Sequence, residues 1–160
     1  MRLSIVSRVT EFALQPSVDV VVSEVIRRPL EMVADYASDP SNAPQWYAKI
    51  IEVAWKTAPP LEVGSEVAFV ARFLGRELRY TYAIAEHTRD SLVMRTAEGP
   101  FPMETSYHFE ALPDGDTRMT LRNRGNPAGF SRFVAPVMRI MMRRAVRKDL
   151  AALKQLLERG

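Results

Sequence analysis

The stretch GFSRFVAPVMRIMMRRAVRKDLAALKQLLERG, Gly129 to Gly160, decides the fold. Its apolar residues Phe130, Phe133, Val134, Val137, Met138, Met141, Met142, Ala145, Val146, Leu150, Leu153, Leu156 and Leu157 recur mostly at steps of three and four. That spacing gathers them into one broad stripe along a single long α-helix. Arg132, Arg139, Arg143, Arg144, Arg147, Lys148, Lys154 and Arg159 take the other side. Pro136 has no N–H to give the helix, so it either kinks it, leaving 128–135 as a lid, or marks where the regular part begins. A terminal helix with so wide an apolar face needs a concave partner, and only the segment before it can supply one.

That segment reads as short strands. Val18 to Ile26 is rich in β-branched residues and ends at Arg27-Arg28-Pro29, a strand leading into a helix over 30–37. The prolines and Asn, Asp and Ser residues of 38–47 punctuate a turn and a second short helix containing Trp46. From Lys49 the period becomes two. Ile51, Val53 and Trp55 alternate, followed by Val67, Phe69, Ala71 and Phe73, then Leu78, Tyr80, Tyr82 and Ile84, then Leu92, Met94 and Thr96. Met103, Thr105, Tyr107 and Phe109, and finally Met119, Leu121 and Asn123, complete the series. Leu74-Gly75 and Pro113-Asp114-Gly115-Asp116 are hairpin turns. Successive hairpins mean an antiparallel meander. The expected architecture is therefore α+β, a helix-grip: a seven-stranded antiparallel sheet wrapped around the long C-terminal helix, with two short helices between strands one and two.

Composition sets outer bounds. At 160 residues and 47% hydrophobic content, one domain over 18–160 with a real core is expected, preceded by an N-terminal extension over 1–17. The net charge of +3 is mild, and the basic helix face reads as a solvated face opposite a buried stripe, so no nucleic-acid partner is expected. No run approaches the ~18 apolar residues of a membrane span, so no stable membrane insertion is expected. Leu3-Ser4-Ile5-Val6 is too short for a signal-peptide core, and a soluble, cytoplasmic protein is the default. There is no cysteine, hence no disulfide and no thiolate metal site. Oligomeric state is not legible.

The order of elements, with the Ile26-Arg27-Arg28-Pro29 step into the first helix, Val33 and Tyr36 after it, Asp39-Pro40-Ser41-Asn42-Ala43-Pro44-Gln45-Trp46, and the ending Lys148-Asp149-Leu150-Ala151-Ala152-Leu153-Lys154, resembles the START-like (SRPBCC) superfamily. This superfamily includes polyketide cyclase/dehydrase and lipid-transport proteins and has the birch-pollen-allergen fold. The resemblance spans roughly residues 18–158. It implies a ligand cavity between sheet and long helix, and leaves function open, since members bind lipids, sterols, polyketides or hormones and only some are enzymes.

The residues themselves offer little catalytic apparatus. His87 lies beside a turn and His108 on the polar phase of its strand; neither forms a metal-binding spacing with the other, and no metal or cofactor is expected. Glycines sit singly at turns, and no Gly-x-Ser-x-Gly elbow occurs. The carboxylates read as turn or outward residues, except Glu24, whose side the pattern does not settle. What stands out is a polar set on the apolar phase: Tyr80, Tyr82, Thr96, Thr105, Tyr107 and Asn123. Each can be an ordinary satisfied core residue; together they suit a ligand site, which is mostly apolar with a few convergent polar groups. The expected lining is Trp46, Phe69, Phe73, Tyr80, Tyr82, Met94, Met103, Thr105, Tyr107, Asn123, Phe130, Val134, Val137, Met138 and Met141. Tyr80, Tyr107 and Asn123 are the candidates for any catalysis. Arg72, Arg79, Arg95, Arg122 and Arg124 all take the outward phase, whereas the resemblance to polyketide cyclases would imply an inward arginine. Three functions stay open: a binding module for a hydrophobic or aromatic small molecule, a polyketide cyclase/dehydratase-type enzyme, and a stress- or respiration-related accessory domain acting through a protein partner.

Overall fold

The computed structural model describes residues 18–126 and 135–160. Strand β1 (Val18–Ile26) is followed by helix α1 (Leu30–Ser38), a 3-10 turn (Pro40–Asn42) and the short helix α2 (Ala43–Trp46). Strands β2 (Ile50–Trp55), β3 (Glu66–Phe73), β4 (Arg76–His87), β5 (Ser91–Glu98), β6 (Met103–Ala111) and β7 (Thr117–Gly125) come next, and helix α3 (Ala135–Arg159) ends the chain. The strands form one antiparallel sheet in the order β1-β7-β6-β5-β4-β3-β2. The expected helix-grip architecture is thus the observed one.

Local chemistry explains the turns. Phe73 pairs with Arg76 across a two-residue link, and both link residues have positive φ, Leu74 at 51° and Gly75 at 73°. This is the twist that matches paired strands, and it is rarer for a leucine than for a glycine. Pairing irregularities between Thr81 and Tyr82, and between Ile84 and Glu86, interrupt the β4–β5 ladder; extra residues of this kind bend a strand. A third, between Ile50 and Glu52, corrects the sequence-based phase. Ile50, not Ile51, packs on the core, while Ile51 is exposed.

Helix α3 lies against β1 and turns Met138, Val146, Asp149, Leu150, Leu153 and Leu157 inward. Val137 and Met141, both expected in the broad stripe, are exposed, a correction to it, and Ile140 beside them is exposed as well. At ~100° per residue, Val137 and Met141 sit roughly 100° or more around the helix from that buried line. Pro136 is the second residue of the helix as described. Phe130, Val134 and, apart from Ala135, the expected lid over 128–135 lie outside the described residues, as does the extension over 1–17. The far end of α3 is pinned to β1: the Lys154 ammonium donates to the Val25 carbonyl at 2.7 Å and pairs with Glu158. The Arg27 N–H in turn donates to the Glu158 carboxylate at 2.8 Å. Glu24 pairs with the inward Met119 and so shares the core-facing phase of β1, half-buried near the sheet's edge.

Candidate functional site

The inward residues of β3, β4, β5, β6 and β7 and the first turns of α3, with residues of β1, α1 and the segment from Pro40 to Ile50, border a partly open cavity of about 200 Å³. Ten of the expected residues line it: Phe69, Phe73, Tyr80, Tyr82, Met94, Met103, Thr105, Tyr107, Asn123 and Met138. Antiparallel register brings them together, since Phe69 faces Tyr80, Met94 faces Thr105, and Thr105 faces Asn123 across adjacent strands. Trp46 is buried but not on the cavity wall; it stands behind Tyr47 and Tyr107, with ring centroids at 4.0 and 5.9 Å. Val137 and Met141 point to solvent and do not line the cavity; Met142, one position on, does.

The aromatic wall is ordered. Phe69 and Tyr80 stack at 5.5 Å, while Tyr82 meets Tyr80 edge-on at 5.0 Å and Phe69 at 5.8 Å. Such offset and edge contacts hold rings more firmly than their buried area alone would. Opposite them the Tyr47 and Tyr107 hydroxyls meet at 2.5 Å.

Polar groups in this wall form a chain. Thr105 donates its only hydroxyl proton to Asn123 Oδ1 at 2.7 Å, so the Tyr82 phenol, 2.9 Å from Thr105 Oγ1, is the donor to that hydroxyl oxygen. That leaves the Asn123 amide N–H groups and the Tyr80 hydroxyl without a hydrogen-bond partner among the described residues, although both side chains border the cavity. All four phenols are protonated at neutral pH. Burial pushes Tyr82 up to about 12, and holds Tyr47, Tyr80 and Tyr107 above their ordinary range as well. They are donors, not bases.

Sequence reasoning missed several groups. Tyr47 and Lys49 follow α2 onto the rim, where the Lys49 ammonium lies 5.5 Å from the centre of the Phe73 ring, a cation–π distance. Asp149 is buried on α3, 6% exposed, and accepts the Ala48 N–H at 3.1 Å. Burial raises its carboxyl to about 6, against the opposing pull of the Ala48 hydrogen bond and the Lys49 charge. Its signal was available: Asp149 falls three residues after Val146 and four before Leu153, within the apolar stripe. Glu104 was read as outward, yet it is 5% exposed because Arg95 and Arg124 cover it from the neighbouring strands, each with a 2.7 Å contact, and it and Arg124 are among the residues that border the cavity. Arg122 pairs in the same way with Asp19 of β1. The arginines of β5 and β7 are thus tied to carboxylates across the sheet. His108 is exposed, and the His87 ring lies 3.2 Å from the Leu61 carbonyl at the surface. Among the described residues no three His, Asp or Glu side chains gather as a metal site would require, and no helix is long and apolar enough to cross a membrane.

A curved antiparallel sheet closed on a long terminal helix, with an apolar space between them, defines the START-like class of proteins. The family model for polyketide cyclase/dehydrase and lipid transport matches residues 17–158, so the chain belongs to that family. Among solved structures, a START superfamily protein from Mycobacterium smegmatis superposes with a TM-score of 0.75 at 14% identity, covering 88% of this chain and 97% of its own. A protein from Thermus thermophilus gives 0.73 at 19% identity, covering 87% and 96%. The Zhui aromatase/cyclase from a Streptomyces species gives 0.71 at 15%, covering 88% and 93%. At such identities the likeness concerns the fold alone. No curated protein matches the sequence significantly.

Proposed function

We propose that this chain binds a small, flat, largely apolar molecule in the space between sheet and α3, and that a hydrogen-bond acceptor on that molecule meets Tyr80 and Asn123. The observation that carries this reading is the pairing of an aromatic and methionine wall with donors that have no partner among the described residues. A donor facing an apolar cavity gains most from a ligand oxygen, because it has no other acceptor at hand. The volume of about 200 Å³ is below the ~300–1,000 Å³ of sites for drug-sized ligands, which favours one or two rings over a sterol or a long lipid. Methionines at 94, 103, 138 and 142 suit a wall that adapts to varied apolar shapes.

The test is a titration with 1-tetralone and with tetralin, which lacks the ketone. The ketone should bind in the micromolar range, about −8 kcal/mol, and several-fold tighter than tetralin, the scale of one net hydrogen bond of ~1 kcal/mol. Tyr80→Phe should narrow that gap, and Met142→Trp should abolish binding of both without lowering the melting temperature sharply. Sharp destabilisation by Met142→Trp, with no probe protecting the parent, would mean a filled core and would sink the reading.

A second reading is cyclisation or dehydration of a polyketide-like substrate, which the aromatase/cyclase name of the Streptomyces protein suggests. One observation favours it: the Tyr47–Tyr107 hydroxyl pair can present a proton donor to a developing enolate oxygen. Turnover would then fall by about a hundredfold in Tyr107→Phe, the scale of one positioned donor.

A further inference from the structure

Helix α3 has an outer face that the cavity does not use. Val137, Ile140 and Met141 are 55%, 57% and 38% exposed, and they fall within five consecutive residues, whereas the other large exposed apolar residues among the described ones are scattered singly. Interleaved with them and following them are Arg139, Arg143, Arg144, Arg147 and Lys148, all exposed. None of these five has a carboxylate partner among the described residues, whereas Lys154 further along the same helix is paired with Glu158. Between Ala135 and Lys148 there is no acidic residue. With five cations on this stretch and a net charge of only +3 for the whole chain, the rest of the molecule is net negative. The positive charge is therefore concentrated on one helix.

Helical geometry places Val137, Ile140, Met141, Arg144, Arg147 and Lys148 within roughly one 120° sector, at ~100° per residue, directly away from the sheet. Aliphatic side chains flanked by unpaired cations on one exposed helical face are what an anionic lipid surface recognises. The apolar groups enter the headgroup boundary and the cations meet lipid phosphates. Nucleic acid would use the cations but would leave three aliphatic side chains against water or phosphate, so the apolar triad selects the lipid. We infer that the outer face of α3, centred on Ile140 and Arg144, docks the protein reversibly on an anionic membrane surface without crossing it. The same turns direct Met138 and Met142 into the cavity, so a docked helix holds the cavity about one helix diameter, ~10 Å, from the lipid. The inference stands whatever molecule the cavity takes.

The experiment is cosedimentation of the full chain with vesicles of phosphatidylcholine alone and of phosphatidylcholine containing about one-third phosphatidylglycerol. The protein should pellet with the anionic vesicles only, and less as salt is raised. The triple variant R144Q/R147Q/K148Q should bind about a hundredfold more weakly, since each cation near such a surface is worth roughly fivefold. Ile140→Asp should also weaken binding and, being exposed, leave the melting temperature unchanged. Equal binding to both vesicle types, no binding to either, or full binding by the triple variant would overturn the proposal. So would a dimer that Ile140→Asp splits, since a second copy would then cover this face. Duplex DNA binding that is indifferent to Ile140→Asp, with no vesicle binding, would overturn it equally.

Discussion

Replacing Asp149 by Asn removes a buried charge and keeps a side-chain oxygen for the Ala48 N–H, so its effect isolates ionisation from hydrogen bonding. Asp149 sits at 6% exposure in the apolar line of α3, and burial lifts its carboxyl from 3.8 to about 6. A carboxyl that holds its proton more tightly folded than unfolded contributes stability below its unfolded pKa. That contribution is lost as pH rises through the folded value. The window is therefore about pH 4 to 7, and roughly two pKa units correspond to about 3 kcal/mol. Asn is neutral throughout. The variant should match the parent near pH 4 and exceed it near pH 7 by up to about 3 kcal/mol, or ~6–12 °C in Tm for a chain of this size. Urea unfolding of both proteins at several pH values measures the difference, in which the shared contributions of Asp19 and Glu158, both lowered by their basic partners, cancel. A gap that does not change with pH would refute the assignment of a desolvated carboxylate at 149. A variant less stable than the parent at pH 7 would refute it too.

Two further substitutions probe the sheet. Thr105→Val removes the middle of the Tyr82–Thr105–Asn123 chain and leaves a buried phenol without an acceptor, so it should cost about 1–3 kcal/mol in thermal unfolding; a neutral result would mean that the Tyr82 hydroxyl has another partner. Glu104→Gln strips the charge shared by Arg95 and Arg124 and should destabilise by about 3 kcal/mol, the low end for a broken buried pair because Arg95 is half exposed and can turn to water. A loss under ~1 kcal/mol would place this cluster with ordinary surface pairs.

The strand phases were legible because a sheet with one buried face imposes a strict two-residue alternation. Phe69, Tyr80, Tyr82, Tyr107 and Asn123 all face the cavity, as that alternation says. Where it slipped, at Ile50 and Ile51, the cause is an irregularity in the pairing, which one strand's pattern does not announce. The helix was harder to read. The apolar residues of its first turns cover more than one face, and only packing against the sheet separates Met138 and Met142 from Val137 and Met141. Asp149 and Glu104 were hidden by a different habit, that of reading carboxylates as solvent-facing. Their burial depends on a backbone N–H in one case and on two arginines from neighbouring strands in the other. Both are contacts between different elements, which the pattern of one element does not show.

The central claim, that the space between sheet and α3 receives a small apolar ligand, is tested most directly by NMR of protein carrying labelled methionine methyls during titration with 1-tetralone. The methyls of Met94, Met103, Met138 and Met142 line the space and should shift under the ring current of the bound aromatic, while exposed Met32 and Met141 should stay in place. Saturable shifts confined to Met32 or Met141, or none in the four lining methyls at millimolar probe, would contradict it.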